Sequence, residues 1–192
     1  MENILPNNEI NQYFQLILDA LNLIPSSYYL LPTRYRQGGI VRERVLCYEL
    51  YHIIRCLQEE RGEVRLTLNG EIDKRGHRDF IHSHQKNPDF VFHIPASHEH
   101  NAIVIEVKGK IRHRACLKDF TTLSDFIHYH QYKLGVFILY NHSLQEFRDS
   151  FVNNLNESFA TLSASEKRSV YIVCKKNATS ETECRDLFFL LE

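Results

Sequence analysis

The sequence predicts an α/β fold in which helices flank a mixed β-sheet. Three observations lead to this fold class. Helical and strand-like segments alternate along the chain, three strand-like segments follow one another between two long helical ones, and a uniformly apolar strand comes after the second helix. Amphipathic helices need a layer to cover, and a uniformly apolar strand is typical of one covered on both faces. A sheet between two layers of helices satisfies all three observations.

The first third of the chain supplies two predicted helices and one strand. Residues 7–23 have helical periodicity, and Pro25 closes the segment. An irregular connector rich in Pro and Gly follows. A longer helical pattern then runs from residue 40 to about residue 60 and ends at Gly62. Residues 64–68 alternate apolar and polar side chains, as a half-buried strand does.

The rest of the chain continues with strands and helices in alternation. Asn69-Gly70 has turn chemistry. Residues 88–94 and 102–108 are rich in Val, Ile and Phe, which indicates two strands joined by a short loop. The remaining predicted elements are a helix at 114–132, a strand at 135–140, a helix at 144–163, a strand at 170–174 and a last strand at 185–191. We expect a single domain over residues 1–192, with its core at about 40–175 and an N-terminal helix and connector at 1–39.

Bulk composition excludes several classes of protein. The formal net charge of −1 is not that of a polycation that coats nucleic acid indiscriminately. Five widely spaced cysteines without a C-x-x-C pair argue against a disulfide framework and a thiolate zinc site. The apolar runs are far shorter than the ~20 residues of a membrane span, and the N-terminus lacks a secretory signal. We therefore expect a cytoplasmic protein without membrane contact.

Two of the apolar strands carry charges that a buried strand should lack. Asp89 lies in the first, and Glu106 and Lys108 lie in the second. Side chains on a strand alternate between its faces, so Glu106 and Lys108 emerge side by side. If the two strands pair as a hairpin, Asp89 and Glu106 converge. Burying ionised groups is costly without compensation, which makes this cluster the candidate functional site.

The three charged groups have a chemistry in common. Two neighbouring carboxylates repel each other unless a cation lies between them, and a small cluster of oxygen ligands suits Mg²⁺, which also takes phosphate oxygens from a substrate. An amine beside that ion can deprotonate, orient or stabilise an attacking hydroxide. The cluster therefore predicts a metal-assisted hydrolase of phosphodiesters.

The long helix at 40–60 adds a further acid. Glu49 falls within the apolar sector of this helix, and Glu43 lies at its margin. The alternative for Glu49 is a structural ion pair with Arg42 or Arg55. The residues that define the predicted apolar sector are Val45, Leu46, Leu50, Ile53, Cys56 and Leu57.

These residues resemble a known family. Pro88-Asp89, followed after sixteen residues by Glu106-Val107-Lys108, is similar to the motif of the PD-(D/E)XK nuclease superfamily. The predicted α-β-β-β-α-β order over residues 40–140 resembles the core of that superfamily, which includes restriction endonucleases and junction resolvases. The stretch ERVLCYELYHIIRCL and the segment Gly70–Arg75 are similar to one branch.

The resemblance implies a restriction-endonuclease-like fold and a Mg²⁺- or Mn²⁺-dependent endonuclease or exonuclease. By this resemblance Asp89, Glu106 and the carbonyl of Val107 are metal ligands, and Lys108 is the catalytic lysine. Glu49 is the implied helix acid, and Glu71 either replaces or supplements it. The choice between Glu43, Glu49 and Glu71 stays open at this point.

The expected substrate is DNA rather than RNA, because the family mostly cuts DNA, and a bacterial defence setting is a further expectation from the resemblance. A small, nearly neutral domain has limited grip on a duplex, so a homodimer or a partner subunit is also expected. The rival interpretations are a catalytically silent module that binds nucleic acid or a protein partner, and an enzyme acting on another phosphate ester. The candidate contacts to nucleic acid are Lys110, Arg112, Arg114 and Lys118.

Overall fold

A computed structural model describes residues 8–34, 36–70, 87–95, 100–158 and 162–191. The helices are α1 (Asn8–Leu23), α2 (Ser26–Tyr29), α3 (Glu43–Arg61), α4 (His113–His128), α5 (Leu144–Ser158), α6 (Ala164–Arg168) and α7 (Leu187–Leu191). The strands are β1 (Leu31–Thr33), β2 (Arg36–Ile40), β3 (Thr67–Gly70), β4 (Phe90–His93), β5 (Asn101–Lys108), β6 (Leu134–Tyr140), β7 (Val170–Lys175) and β8 (Thr182–Asp186). In these described ranges, none of the helices combines the length and apolarity that crossing a bilayer requires.

A six-stranded mixed sheet forms the middle layer, with the strand order β3-β4-β5-β6-β7-β8. Strands β5, β6 and β7 run parallel, while β3, β4 and β8 join antiparallel to their neighbours. Helices α1 and α3 cover one face of the sheet, and α4, α5 and α7 cover the other. The predicted α/β class with a helix-flanked mixed sheet is confirmed, and among the described elements, which leave out residues 71–86 between β3 and β4, the order α3-β3-β4-β5-α4-β6 is the predicted one.

The alternation of side chains along β5 divides them between the two layers. Ile103, Ile105 and Val107 pack with the residues of α1 and α3, while Val104 packs with those of α4. Every residue of β6 is buried, as expected for a strand covered on both faces. Glu106 and Lys108 follow the parity of Val104, so they belong to the α4 side of the sheet.

The buried face of α3 is rotated from the predicted one. Ile53 is half-buried and packs against the core, as predicted for the apolar face, but Val45 is only half-buried and Cys56 is exposed, so their prediction as part of that face is wrong. Gln58 is fully buried instead, because its amide donates to the carbonyls of Glu63 and Leu66, at 2.9 and 3.0 Å. The buried residues of this helix are Leu46, Cys47, Leu50, Ile54, Leu57 and Gln58. The helix ends at Gly62 in the left-handed conformation, with φ of 69°, as predicted.

Strand β3 begins three residues later and ends two residues later than the predicted strand at 64–68. The pattern places a strand at 64–68 and a turn at Asn69-Gly70, but Asn69 pairs with Val91 and Gly70 with Phe90 in the sheet. The side chain of His93 also contacts Asn69, with Nε2 2.9 Å from Oδ1. Long-range pairing with β4 therefore overrides the local turn preference of Asn-Gly.

Three other boundaries differ from the prediction. The connector contains the β1–β2 hairpin, where Gly38 and Gly39 have positive φ of 82° and 73°. Helix α4 ends at His128 rather than residue 132. The predicted strand over residues 185–191 is wrong beyond Asp186, because the chain turns into α7, which buries Leu187 and Leu190 in the second core.

Candidate active site

Strand pairing brings the charged residues of β4 and β5 to one end of the sheet. Phe90 pairs with Ile105 and Val91 with Val104, so the same antiparallel register places Asp89 opposite Glu106. Lys108 ends β5 two residues later. The beginning of α3 and the first half of α4 approach this end from opposite faces of the sheet, and together these elements form the site.

Asp89 is held by the backbone of β5. Its Oδ2 accepts a 2.7 Å hydrogen bond from the amide of Val107. Burial raises the pKa of Asp89, and the Val107 amide and the Lys108 ammonium only partly offset that effect. The carboxyl is therefore oriented by the strand that carries the two other charged residues.

The side chains of Glu106 and Asp89 are hydrogen-bonded to each other. Glu106 is only 4% exposed, and burial raises its pKa well above the ordinary value, with further contributions from the charges of Asp89 and Asp119. Two ionised carboxyls this close repel each other, so a proton or a divalent cation between them is favourable. The donor set therefore suits a hard cation.

Lys108 lies between carboxylates on two helices. Its Nζ is 2.9 Å from Oδ2 of Asp119 and 3.7 Å from Oε2 of Glu43, and it also donates to the Val107 carbonyl at 3.2 Å. Burial by itself lowers the pKa of the Lys108 ammonium, but the hydrogen bond and charge of Asp119, with Asp89 and Glu43, outweigh it and raise the pKa. In the metal-free chain the amine is therefore positively charged at neutral pH.

Asp119 was not among the predicted site residues. It lies on the buried face of α4, three residues after Cys116 and one before Phe120, both of which are completely buried. Burial raises the pKa of Asp119 to about 6, against the lowering effect of Lys108. The sequence feature that identifies Asp119 is an acidic residue within the apolar face of a helix, and Glu49 has the same feature in the predicted helix at 40–60.

Of the three candidate helix and loop acids, the structure brings Glu43 to the site. Its Oε1 accepts from the Gly109 amide at 3.4 Å, and its Oε2 faces Lys108. Glu49 instead accepts a hydrogen bond from the hydroxyl of Tyr28. The reason is the rotation of α3, whose buried face continues through Cys47 to Glu43 and not to Glu49. Glu71 lies outside the described residues.

The backbone at Gly109, where the chain leaves β5, is closely packed by its neighbours. A Cβ on this residue would collide with the Tyr140 ring and the Val41 side chain. Only glycine allows the backbone to pass between these two groups, and this close packing fixes the residue that follows Lys108.

A cleft of about 610 Å³ opens beside the carboxyl cluster. Glu43 and Asp89 are among the residues that line it. Other described residues that line it come from the exposed side of α3 and the end of β3. They are Arg44, Tyr48, Tyr51, Asn69 and Gly70.

The predicted contacts to nucleic acid form a basic rim beside the site. Lys110 and Arg112 immediately precede α4, and Arg114 and Lys118 lie in its first two turns. All four side chains are exposed, and they begin two residues after Lys108. Their position permits contact with a polyanion that reaches the carboxyl cluster.

Within the part of the chain that the structure describes, no three His, Cys, Asp or Glu side chains converge as a metal site by themselves. The candidate ligands are two carboxyls and a backbone carbonyl, from Asp89, Glu106 and Val107. Such a small protein ligand set is usual for Mg²⁺, which keeps several waters and takes substrate oxygens. A comparison of the chain with protein-family models, with curated proteins and with solved structures finds no match.

Proposed function

We propose that this chain is a divalent-metal-dependent nuclease of the PD-(D/E)XK type, with a restriction-endonuclease-like core, that hydrolyses phosphodiester bonds in DNA. The observation that carries the proposal is the contact between the carboxyls of Asp89 and Glu106, with the Lys108 ammonium on the same end of β5. Two carboxyls and a fixed ammonium at one strand end are the components that metal-assisted phosphodiester hydrolysis requires.

Asp89, Glu106 and the Val107 carbonyl would hold Mg²⁺ or Mn²⁺. When bound, such an ion supplies Lewis-acid chemistry at a phosphate and lowers the pKa of water. The closeness of the two carboxyls supports this assignment, because burial and the charge of Asp89 raise the pKa of Glu106 and a bound cation would offset both effects.

Lys108 would stabilise the negative charge that develops on the phosphate. In the metal-free chain the neighbouring carboxylates raise its pKa, so it enters the site as an ammonium that can donate hydrogen bonds to a phosphate oxygen or to the attacking water. Asp119 acts as its positioning residue: the buried carboxylate forms an ion pair with the ammonium at 2.9 Å and so fixes the place of the positive charge. Preorganised charge of this kind is commonly the largest catalytic contribution.

The basic rim would position the nucleic-acid backbone. Lys110, Arg112, Arg114 and Lys118 are exposed and carry no acidic partner among the ion pairs of the described residues. Phosphate contacts made by such residues release counterions, so binding should weaken steeply as salt is raised.

The test is a cleavage assay on single- and double-stranded DNA and RNA, with Mg²⁺, Mn²⁺ or a chelator. We expect metal-dependent cleavage of DNA that falls by at least about a hundredfold in Asp89→Ala and Lys108→Ala. Lys133→Ala is the matched control, because Lys133 is exposed at the opposite end of β5 and should not matter. Closed circular substrates separate endonuclease from exonuclease action. Retention of nucleic acid or of a protein partner without any cleavage would instead favour the silent module.

A further inference from the structure

One face of α3 has one basic and two aromatic side chains that line the cleft. Arg44, Tyr48 and Tyr51 are four and three residues apart, so they lie along one side of the helix, and all three line the cleft. The Tyr48 side chain is 67% exposed, although an aromatic ring of this size is usually largely buried. Tyr51 is held more firmly, since its ring lies 6.2 Å from that of Phe90.

The same cleft reaches the candidate active site. Glu43 and Asp89 line it together with Tyr48, so a group bound against Tyr48 lies in the same cavity as the proposed metal-ligand carboxyl of Asp89. The volume of about 610 Å³ falls within the range of roughly 300–1,000 Å³ in which proteins bind compact organic groups. The cleft therefore has room for a nucleobase and its sugar beside the reacting phosphate.

We propose that this cleft binds an unpaired base of a nucleic-acid strand, stacked on the ring of Tyr48. The inference rests on the proposed nuclease function and specifies its substrate. Exposed aromatic rings beside basic side chains are the usual platform for single strands, because every base offers a π face and the phosphates require positive charge. Arg44 lies on the same helix face as Tyr48, and the exposed side chains of the basic rim supply positive charge beside the site.

A site for an unpaired base requires a substrate in which at least one base is unpaired. In a continuous duplex each base is stacked on both faces, and presenting one to Tyr48 requires that it first leave the stack. A single strand, or a duplex with an unpaired stretch, avoids this cost. The chain should therefore prefer single-stranded over continuous double-stranded substrates.

The experiment measures binding of the full chain to short oligonucleotides in Ca²⁺, a cation that takes oxygen ligands with looser geometry than Mg²⁺. One oligonucleotide carries 2-aminopurine, whose fluorescence changes on stacking, and a dye-labelled copy reports affinity by anisotropy. Each is used as a single strand and as a blunt duplex, and an RNA copy distinguishes the two kinds of strand. The variants are Tyr48→Ala, Tyr48→Phe and, as the matched control, Tyr129→Ala, an aromatic residue 51% exposed at the far end of α4.

We expect the single strand to bind at least about tenfold more tightly than the duplex. Tyr48→Ala should weaken single-strand binding by roughly five- to a hundredfold and remove the 2-aminopurine response. Tyr48→Phe should stay within about twofold of the wild type, since stacking needs the ring and not the hydroxyl. Tyr129→Ala should bind as the wild type does.

Equal binding of duplex and single strand, or unchanged binding by Tyr48→Ala, overturns the base site. The nuclease proposal and the base-site proposal can be refuted independently of each other. Tyr48-dependent binding by a chain that cleaves nothing supports the base site and refutes the nuclease. Cleavage that needs Lys108 but is indifferent to Tyr48→Ala supports the nuclease and refutes the base site.

Discussion

The ammonium of Lys108 and the carboxylate of Asp119 form a 2.9 Å ion pair between the end of β5 and the first half of α4, with side chains that are 16% and 8% exposed. Because both groups are largely shielded from water, this pair is much less screened by salt than a surface pair. Removing one partner leaves the other charge uncompensated, which is why the position of Lys108 depends on α4.

Replacing Asp119 with Asn should lower cleavage by roughly ten- to a hundredfold, as the loss of a supporting hydrogen-bond partner usually does. The wild-type rate should also fall as the pH drops through about 6, because protonation of Asp119 removes the charge that holds Lys108. At saturating Mn²⁺, single-turnover rates measured between pH 5 and pH 8 should show this decrease toward low pH in the wild type and not in Asp119→Asn. Identical pH profiles would contradict the positioning role.

Glu106→Gln should make the isolated chain more stable while abolishing cleavage. The folded-state pKa of Glu106 lies above its ordinary value of 4.5, so the folded chain binds this proton more tightly than the unfolded chain. Wild-type stability therefore falls as pH rises above 4.5, until the folded-state pKa is passed. Glutamine has no proton to lose, and the gain should be roughly 1–2 kcal/mol at pH 8 and shrink toward pH 4.5.

The measurement for Glu106→Gln is urea unfolding at pH 5 and pH 8 without divalent ions. Glu60→Gln is the control, because Glu60 is exposed on α3 and its replacement should change stability little at either pH. A Glu106→Gln protein that is less stable than the wild type at pH 8 would mean that the carboxyl pair is not strained.

Mn²⁺ should stabilise the wild-type chain against heat. At a hundredfold excess over the dissociation constant, the gain is about 2.7 kcal/mol, or roughly 5–10 °C in Tm for a chain of this size. The shift should grow with pH, because the ion competes with the proton that the raised pKa of Glu106 retains, and a chelator should reverse it. Thermal scans of the wild type and Asp89→Asn test this; an equal shift in the variant would place the ion elsewhere.

Glu43→Gln should reduce cleavage by about tenfold or more, whereas Glu49→Gln should stay within about twofold of the wild type. Glu43 contacts both Lys108 and the Gly109 amide and lines the cleft, while Glu49 accepts from Tyr28. The two variants remove the same charge from the same helix, so each controls for the other. The reverse order of effects would restore Glu49 as the helix acid.

Local periodicity alone determined much of the candidate site. Successive side chains of a strand point to opposite faces, so the sequence of β5 was sufficient to predict that Glu106 and Lys108 share one face. It also predicted that the other face carries Ile103, Ile105 and Val107. The order of helices and strands followed from the same kind of local pattern, and with it the α/β class.

Contacts between distant segments decided the rest. The rotation of α3 depends on its packing against α1 and the sheet, and that rotation selected Glu43 over Glu49. The docking of α4 brought Asp119 to Lys108, and pairing with β4 made a strand of Asn69-Gly70. A helical pattern tolerates a shift of its buried face by one residue, and neither helix docking nor register is encoded within a single segment, so only the tertiary structure could supply them.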